Sequence, residues 1–375
     1  MRIAIITTWF PPIVVGSGNR LYEIGRRLSK KFEVHVYTVG TDETPKEEEL
    51  HGMYVYRYHK FNYSKSIEQS YFLNLKFGFS ILKDVKDHYD IIECNIVSKI
   101  LPYISYVISK RIKTPFVETW HEVMYEHNFN LLNPILALPA FFLEFQIPRL
   151  ANVNIAVSKT TKNRLVNLLK VDPSKVVVIP NGINLNDFRQ VSVKKRYGRI
   201  LYAGRLESHK QVDKLILAYK NLKKEYSDIE LIIVGRGPKK SYLEELASKL
   251  SLDVKFLDLL PYKKFIKLMK SSWIFVLPSI KEGQGIVLLE AMAAGTPPIA
   301  VKAEGSGVVD IIKDNYNGLL VSSNQESLES AIRKLLTNYD LYARLRKNGL
   351  QFIKEYDWDR ISERVSELYK KIAKK

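Results

Sequence analysis

In SIKEGQGIVLLEAMAAGTPPIA, residues 279–300, a glycine-rich turn leads into an apolar helix and the helix leads into a strand. Gly283 and Gly285 let the backbone turn tightly, and the run from Ile286 to Ala294 reads as a helix leaving the turn. A helix start of that kind binds anions through its N–H groups and its dipole. Glu282 precedes the helix and Glu290 lies inside it, about 7 Å further along at ~1.5 Å per residue. Two ionised acceptors spaced across an anion site suit a diphosphate with a hydroxyl-bearing group at each end, since each carboxylate accepts a pair of O–H donors. Alone, Glu282 reads equally well as a capping glutamate on a surface loop. Glu290 resists that reading because Ile286 to Leu289 precede it and Ala291 to Ala293 follow, and a buried carboxylate needs a partner.

On either side of this stretch stand IFVLPS and PPIAV, and the same alternation of apolar strand and helix runs through the chain. Towards the N-terminus the strands are RIAIITT, EVHVYTV, YVYRY, DIIECN, PFVETW, VNIAVS and VVVIPN, with helices expected over Asn19 to Lys30 and Ser98 to Lys110. A second series, RILYAG, ELIIVG, VKFLD, IFVLPS, PPIAV and GLLVS, follows a polar stretch near 186–198. Such βα units predict an α/β fold with two largely parallel sheets and a cleft between domains. Ligands of open α/β sheets bind beyond the carboxyl ends of strands, so residues directly after strands are the informative ones.

Arg205 and Lys210 follow RILYAG, where two cations would bracket a diphosphate; either alone reads as a solvated surface base. Pro11, Pro12, Gly16 and Gly18 follow the first strand as a turn able to approach a phosphate or sugar. His121 ends PFVETW, placed to donate to a sugar hydroxyl or to handle a proton, or else to serve structurally. Neither GxGxxG nor GxxxxGK[ST] occurs, and Tyr125 interrupts an HExxH reading after His121. Asp357 and Asp359 flank Trp358 at the start of the last helix, where capping explains them better than a metal. No metal site is expected.

The chain has 375 residues, 46% hydrophobic and 26% charged, enough for two globular domains. Its one cysteine, Cys94, excludes an internal disulfide and suits a reducing, cytoplasmic compartment. MRIAIITTWF lacks the long apolar core of a signal peptide, and the most apolar segment, LLNPILALPAFFL (131–143), is short and broken by Pro134 and Pro139. The formal net charge is +18, with 24 Lys and Arg against 18 Asp and Glu in residues 1–190 and 34 against 22 thereafter. Such an excess attracts polyanions of any kind; with no aromatic RNA-binding signature and no zinc-finger spacing, nucleic acid is a minor candidate. FNYSKSIEQSYFLNLKFGFSILK (61–83) mixes aromatic and basic residues in a way that suits an anionic membrane face, or equally a core helix with a solvated side.

Taken together, PPIVVGSGNRLYEIGRRL, YDIIECN, VETWHEV, NIAVSK, VIPNGINLNDF, ILYAGRLESHK, ELIIVGRGP, FVLPSIKEGQGIVLLEAMAAGTPPIA, NYNGLLV and YDWDRISERVSELY resemble the retaining GT-B glycosyltransferases of family 4, also called glycosyl transferases group 1. Glu282 to Glu290 matches the family's E-x7-E motif. The resemblance implies two Rossmann-like domains facing across a deep cleft: residues 1–188 on the acceptor side, completed by helix 359–375, and residues 189–358 binding a nucleotide-sugar, UDP- or GDP-hexose, with no cofactor. Arg205 and Lys210 would hold the donor diphosphate. Glu282 with Gly283, Gln284 and Gly285 would hold sugar and phosphate, and Glu290 the ribose. Gly16, with Gly18 in the same loop, would abut the diphosphate, and His121 would touch the transferred sugar. Family catalysis retains the anomeric configuration and needs no metal; the implied partner is a glycan or lipid-linked acceptor at the cytoplasmic membrane face. Departures from the pattern are Ser17 between Gly16 and Gly18, Gln211 after Lys210, Gln284 in place of an aromatic residue, and Asp258 where the family has glycine near the base. A sugar-nucleotide epimerase of the same fold and a non-catalytic polyanion-binding protein are the rival readings.

Overall fold

The structure, a computed structural model, describes residues 1–13, 16–60, 67–96, 98–124 and 134–374. Part of the aromatic-basic stretch (61–66) and the start of the apolar segment (131–133) lie outside the described residues, as does Tyr125. The chain divides into two compact units, Met1–Asn181 with Trp358–Lys375, and Gly182–Asp357. This break comes before residue 188 because Leu185 and Phe188 are buried in the core of the second unit.

The first unit is built on eight strands: β1 (Arg2–Ile6), β2 (Glu33–Gly40), β3 (Glu47–Leu50), β4 (Met53–Lys60), β5 (Ile91–Asn95), β6 (Phe116–Trp120), β7 (Val153–Ala156) and β8 (Val176–Val178). Their order is β3-β4-β2-β1-β5-β6-β7-β8, parallel throughout except for the β3–β4 pair. The apolar run RIAII, and FVETW even with Glu118 and Thr119 inside it, form strands buried on both faces, as parallel sheets require. β3 is a difference from the sequence reading. Its residues, EEEL, carry no apolar pattern, and it forms because an antiparallel edge strand needs only a partner ladder and a charge match, here Glu48 with Arg57.

Helices α1 (Gly16–Leu28), α2 (Ile67–Asp84), α3 (Leu101–Arg111), α4 (Pro134–Leu150) and α5 (Lys159–Asn167) connect these strands. The glycine turn expected at 16–18 is instead the opening turn of α1. Gly18 is required there for packing, since a Cβ would meet the Trp9 carbonyl oxygen at 2.5 Å.

The second unit contains α6 (Leu185–Arg189), β9 (Arg199–Ala203), α7 (Val212–Glu225), β10 (Glu230–Val234), α8 (Lys240–Lys249), β11 (Val254–Leu257), α9 (Tyr262–Ser271), β12 (Ile274–Leu277), α10 (Ile286–Ala293), β13 (Pro298–Val301), α11 (Val308–Ile311), β14 (Leu319–Val321), α12 (Gln325–Thr337) and α13 (Tyr339–Phe352). Its six strands are parallel in the order β11-β10-β9-β12-β13-β14. The order reverses between β9 and β12, so the loops after these two strands open beside each other at a topological switch point. The last helix, α14 (Trp358–Ala373), packs into the first unit, where Trp358, Ile361, Val365, Tyr369 and Ile372 share a core with Ile3, Ile5, Leu21 and Ile24.

Candidate active site

Both loops at the switch point of the second sheet carry charged residues singled out in the sequence. After β9 the chain passes through Arg205 into a single 3-10 turn, Ser208–Lys210. After β12 it passes through Ile280 and Glu282 into α10. Backbone bonds stitch the loops together: Ile280 N–H donates to the His209 carbonyl at 3.0 Å, and the Ser279 hydroxyl braces its own turn by donating to the Lys281 carbonyl at 2.9 Å. In this frame Lys210 Nζ meets Glu282 Oε1 at 2.7 Å, with each side chain only 14% exposed. A pair so shielded from water interacts more strongly than a surface pair.

Arg205 is placed differently. Its side chain is 77% exposed and turns to Glu207 at 2.6 Å, with its carbonyl held by the Tyr202 hydroxyl at 2.8 Å. The structure therefore joins Lys210 to Glu282 and leaves Arg205 at the rim, its guanidinium engaged by Glu207.

Glu282 is also held from behind. Its carbonyl accepts from Gly307 N–H at 2.7 Å, and a Cβ on Gly307 would lie 2.2 Å from the Gly283 oxygen. Gly283 is partly exposed and Gln284 is buried, 3% exposed. Gly285 caps α10 at φ 80°, the left-handed region that favours glycine. Five residues into α10, Glu290 is partly covered, and burial raises its carboxyl to about pH 7 against the opposing hydrogen bond from Tyr262. Glu290 thus has the partner a buried carboxylate requires, and that partner begins α9.

Two departures from the family pattern acquire a physical setting. Gln211 sits at φ 49°, a conformation glycine adopts without strain, and its side-chain oxygen accepts from the Ser323 hydroxyl at 2.6 Å. Asp258, just after β11, is bound by Lys240 at 2.7 Å and Arg236 at 3.2 Å, which hold its carboxyl below the usual range.

In the first unit, His121 follows β6. Its Nε2 is buried without a partner, and burial together with the nearby Arg20 charge lowers the ring to about 3, so the imidazole is neutral. Arg20, fully buried in α1, donates to the Pro180 carbonyl at 2.7 Å and the Asn181 side-chain oxygen at 3.2 Å. Nearby, Glu93 of β5 accepts from Thr119 at 2.6 Å and from the Tyr369 hydroxyl of α14. Gly16, exposed at the start of α1, and Gly18 two residues on share that helix with Arg20. Asp359, read as a cap, lies in the first turn of α14 and pairs with Arg27 of α1 at 2.5 Å.

The sequence reading missed Tyr262, Gly307, Glu207 and Arg20. Only Gly307 left a signal, the Gly-Ser-Gly at 305–307 after a strand; the others matter through partners distant in sequence.

Residues 184–352 match the family described as glycosyl transferases group 1, and residues 14–187 match glycosyltransferase family 4. An uncharacterized glycosyltransferase of Methanocaldococcus jannaschii is 28% identical over 99% of this chain and 98% of its own. A D-inositol 3-phosphate glycosyltransferase of Nocardioides sp. is 26% identical over 76% of this chain and 68% of its own. Among solved structures, a sucrose-phosphate synthase from Thermosynechococcus elongatus superposes with a TM-score of 0.84 at 20% identity, covering 99% of this chain and 98% of the other. The HepE protein of Anabaena, solved with UDP and glucose, does so with a TM-score of 0.78 at 19% identity, covering 99% and 100%.

Proposed function

The chain belongs to the glycosyl transferases of group 1, with the GT-B fold, and from that premise we propose that it moves a hexose from a nucleotide-diphosphate sugar to a glycan or lipid-linked saccharide, with retention at the anomeric carbon. The observation that carries the reading is the shielded Lys210–Glu282 pair at the mouth of α10, with the partnered Glu290 inside that helix. Lys210 and Arg205 take the diphosphate charge that grows as the C1–O bond to phosphate breaks, a role for which oriented cations are suited. Glu282 and the turn Gly283–Gly285 hold the sugar and phosphate, and Glu290 accepts from the ribose hydroxyls. His121, neutral, offers a ring N–H to the transferred sugar, and Gly16, exposed at the start of α1, abuts the diphosphate while Gly18 behind it packs against Trp9. The acceptor hydroxyl bonds to C1 on the face the phosphate leaves, its proton passes to the departing phosphate oxygen, and no metal is required. A donor of this class is supported by the likeness to HepE, solved with UDP-glucose.

The test is hexose transfer from UDP- and GDP-hexoses with the anomer of the product read by NMR. R205A and E282A are each expected to weaken donor binding by about 1.5–3 kcal/mol, roughly ten- to a hundredfold. Unchanged binding in both variants favours a polyanion-binding protein, nucleotide and free sugar released without need of an acceptor point to the epimerase, and an inverted product ends the retaining assignment.

Among the described residues no helix is long and apolar enough to cross a membrane. Attachment to a lipid surface would use the outer face of α2, where Phe72 (67% exposed), Leu75 and Phe79 stand beside Lys76 and Lys83. The expected result is flotation with anionic vesicles that F72S with F79S abolishes. Equal recovery from anionic and neutral vesicles ends the membrane assignment.

A further inference from the structure

Strands β5 to β8 of the first unit start from the edge of the sheet remote from His121, and a cavity of about 960 Å³ lies along that edge. Asp90, Pro115, Asn152 and Lys175, each the residue just before one of these strands, line it. His121 follows the other end of β6, and the five residues of that strand separate the two ends by about 17 Å at ~3.3 Å per residue. The cavity is therefore distinct from the groups of this unit assigned to the donor.

Five cations from separate parts of the chain line it. Lys110 and Lys113 stand at and just beyond the end of α3, Arg149 in the last turn of α4, Lys175 before β8, and Lys371 in the last turn of α14. Asp90, the one acid among the described lining residues, already accepts from the Arg2 backbone N–H at 2.7 Å. Arg149 is fixed by the chain around it, donating to the Phe145 carbonyl and, at 2.8 Å, to the Leu169 carbonyl. The four lysines form no ion pair with the described residues, and the Lys110 ammonium lies 5.3 Å from the centre of the Tyr106 ring. Helix ends account for part of this charge. Each C-terminus carries about half a negative charge, so α3, α4 and α14 together offset roughly 1.5 positive charges and Asp90 one more. Between two and three are left over, in a hollow where walls of low dielectric strengthen the field, and such lysines repel one another until an anion joins them.

We propose that this cavity binds a compact anion carrying two or more phosphate groups, with Lys110, Lys113, Lys175 and Lys371 as its ligands. One phosphate would leave part of the charge unmatched, whereas two or three balance it. Lysine suits the task because its ammonium is a point charge on a flexible stem, able to reach phosphates at several positions. The cavity has the size of small-molecule sites, roughly 300–1,000 Å³. Soluble polyphosphates and the headgroups of multiply phosphorylated lipids share this chemistry.

Tripolyphosphate titrated calorimetrically into the full chain, with lysine acetylation read by mass spectrometry, tests the proposal. The bound anion is expected to protect Lys110, Lys113, Lys175 and Lys371 from acetylation but not Lys224 or Lys347, two exposed lysines of the second unit. K113E with K371E should weaken binding at least about tenfold, while K224E with K347E, which changes the net charge equally, should alter it less than about twofold. K210A, whose change lies among the residues assigned to the donor, should leave the cavity lysines protected. Absence of binding, equal weakening by the two charge-reversed pairs, or protection confined to Lys210 overturns the proposal. Competition by phosphatidylcholine vesicles carrying phosphatidylinositol bisphosphate assigns the anion to a lipid headgroup, and tripolyphosphate binding that those vesicles leave unchanged assigns it to a soluble polyphosphate.

Discussion

Glu290 shows how burial and function meet in one side chain. Its carboxyl rises from an ordinary value of 4.5 to about 7 because burial disfavours the charge more than Tyr262 supports it. In the proposed complex a ribose diol donates both its hydrogen bonds to the ionised form, whereas the protonated form keeps one oxygen as a donor, so donor binding favours the carboxylate and lowers its pKa. Below pH 7 the free chain must release a proton to bind, and donor affinity is expected to fall by up to about tenfold per pH unit from 7 towards 5. In the unliganded fold the sign is opposite: the native state keeps a proton that the unfolded chain lacks between 4.5 and 7. Stability from this group is therefore present at low pH and lost as pH rises through 7. Titration of donor binding at several pH values checks the first statement, and E290Q should flatten the profile. An affinity independent of pH in the parent would mean that Glu290 does not meet the donor.

At the scale of the element, the Glu282 turn depends on a backbone hydrogen bond from a neighbouring loop. Gly307 hydrogen-bonds the Glu282 carbonyl and leaves no room for a Cβ, with the Gly283 oxygen 2.2 Å from where it would sit. Backbone must move if that space is filled, and overpacking of this kind costs about 1–3 kcal/mol. G307A is accordingly expected to lower the melting temperature by a few degrees and donor affinity by tenfold or more, while G305A, two residues away, tests whether any alanine in that loop does the same. Donor affinity of G307A equal to the parent would separate the two loops functionally. The case also shows what the sequence could and could not reveal. Strands β9, β10, β12 and β13 are legible because parallel strands buried on both faces are written as apolar runs, and α10 because its apolar run starts at Gly285, which caps it. β3 was not legible, since EEEL has no alternation and owes its pairing to β4. Nor were Gly307, Tyr262 or Arg20: their roles come from partners 25, 28 and 160 residues away, Glu282, Glu290 and Pro180, and no local pattern encodes such a distance. A candidate with its own charge just after a strand, as Arg205 is, stands out in the sequence, whereas its pairing with Glu207 does not.

For the whole molecule, the chain leaves the first unit after Asn181 and returns to it at Trp358. The first unit is thus incomplete until the last helix is made. Trp358 is 2% exposed, Ile361, Val365 and Tyr369 are fully buried, and the Tyr369 hydroxyl donates to Glu93, a carboxyl in the sheet with no exposure to water. Removing a buried tryptophan costs about 3–5 kcal/mol, and leaving a buried carboxyl short of a donor costs about 1–3 kcal/mol. The core of the second unit contains none of these residues. Two units with separate cores need not melt as one, so the effects should divide by unit rather than spread over the molecule. W358A and Y369F are expected to destabilise residues 1–181, in that order of severity, while residues 182–357 keep their stability. Amide hydrogen exchange read segment by segment is the measurement, because it assigns lost protection to the strands that lose it. Faster exchange in β1, β5 and β6 with β9 and β12 unchanged is the expected pattern. Equal loss in both sheets would show that the two cores unfold together, and that the returning helix supports more than the unit it is packed in.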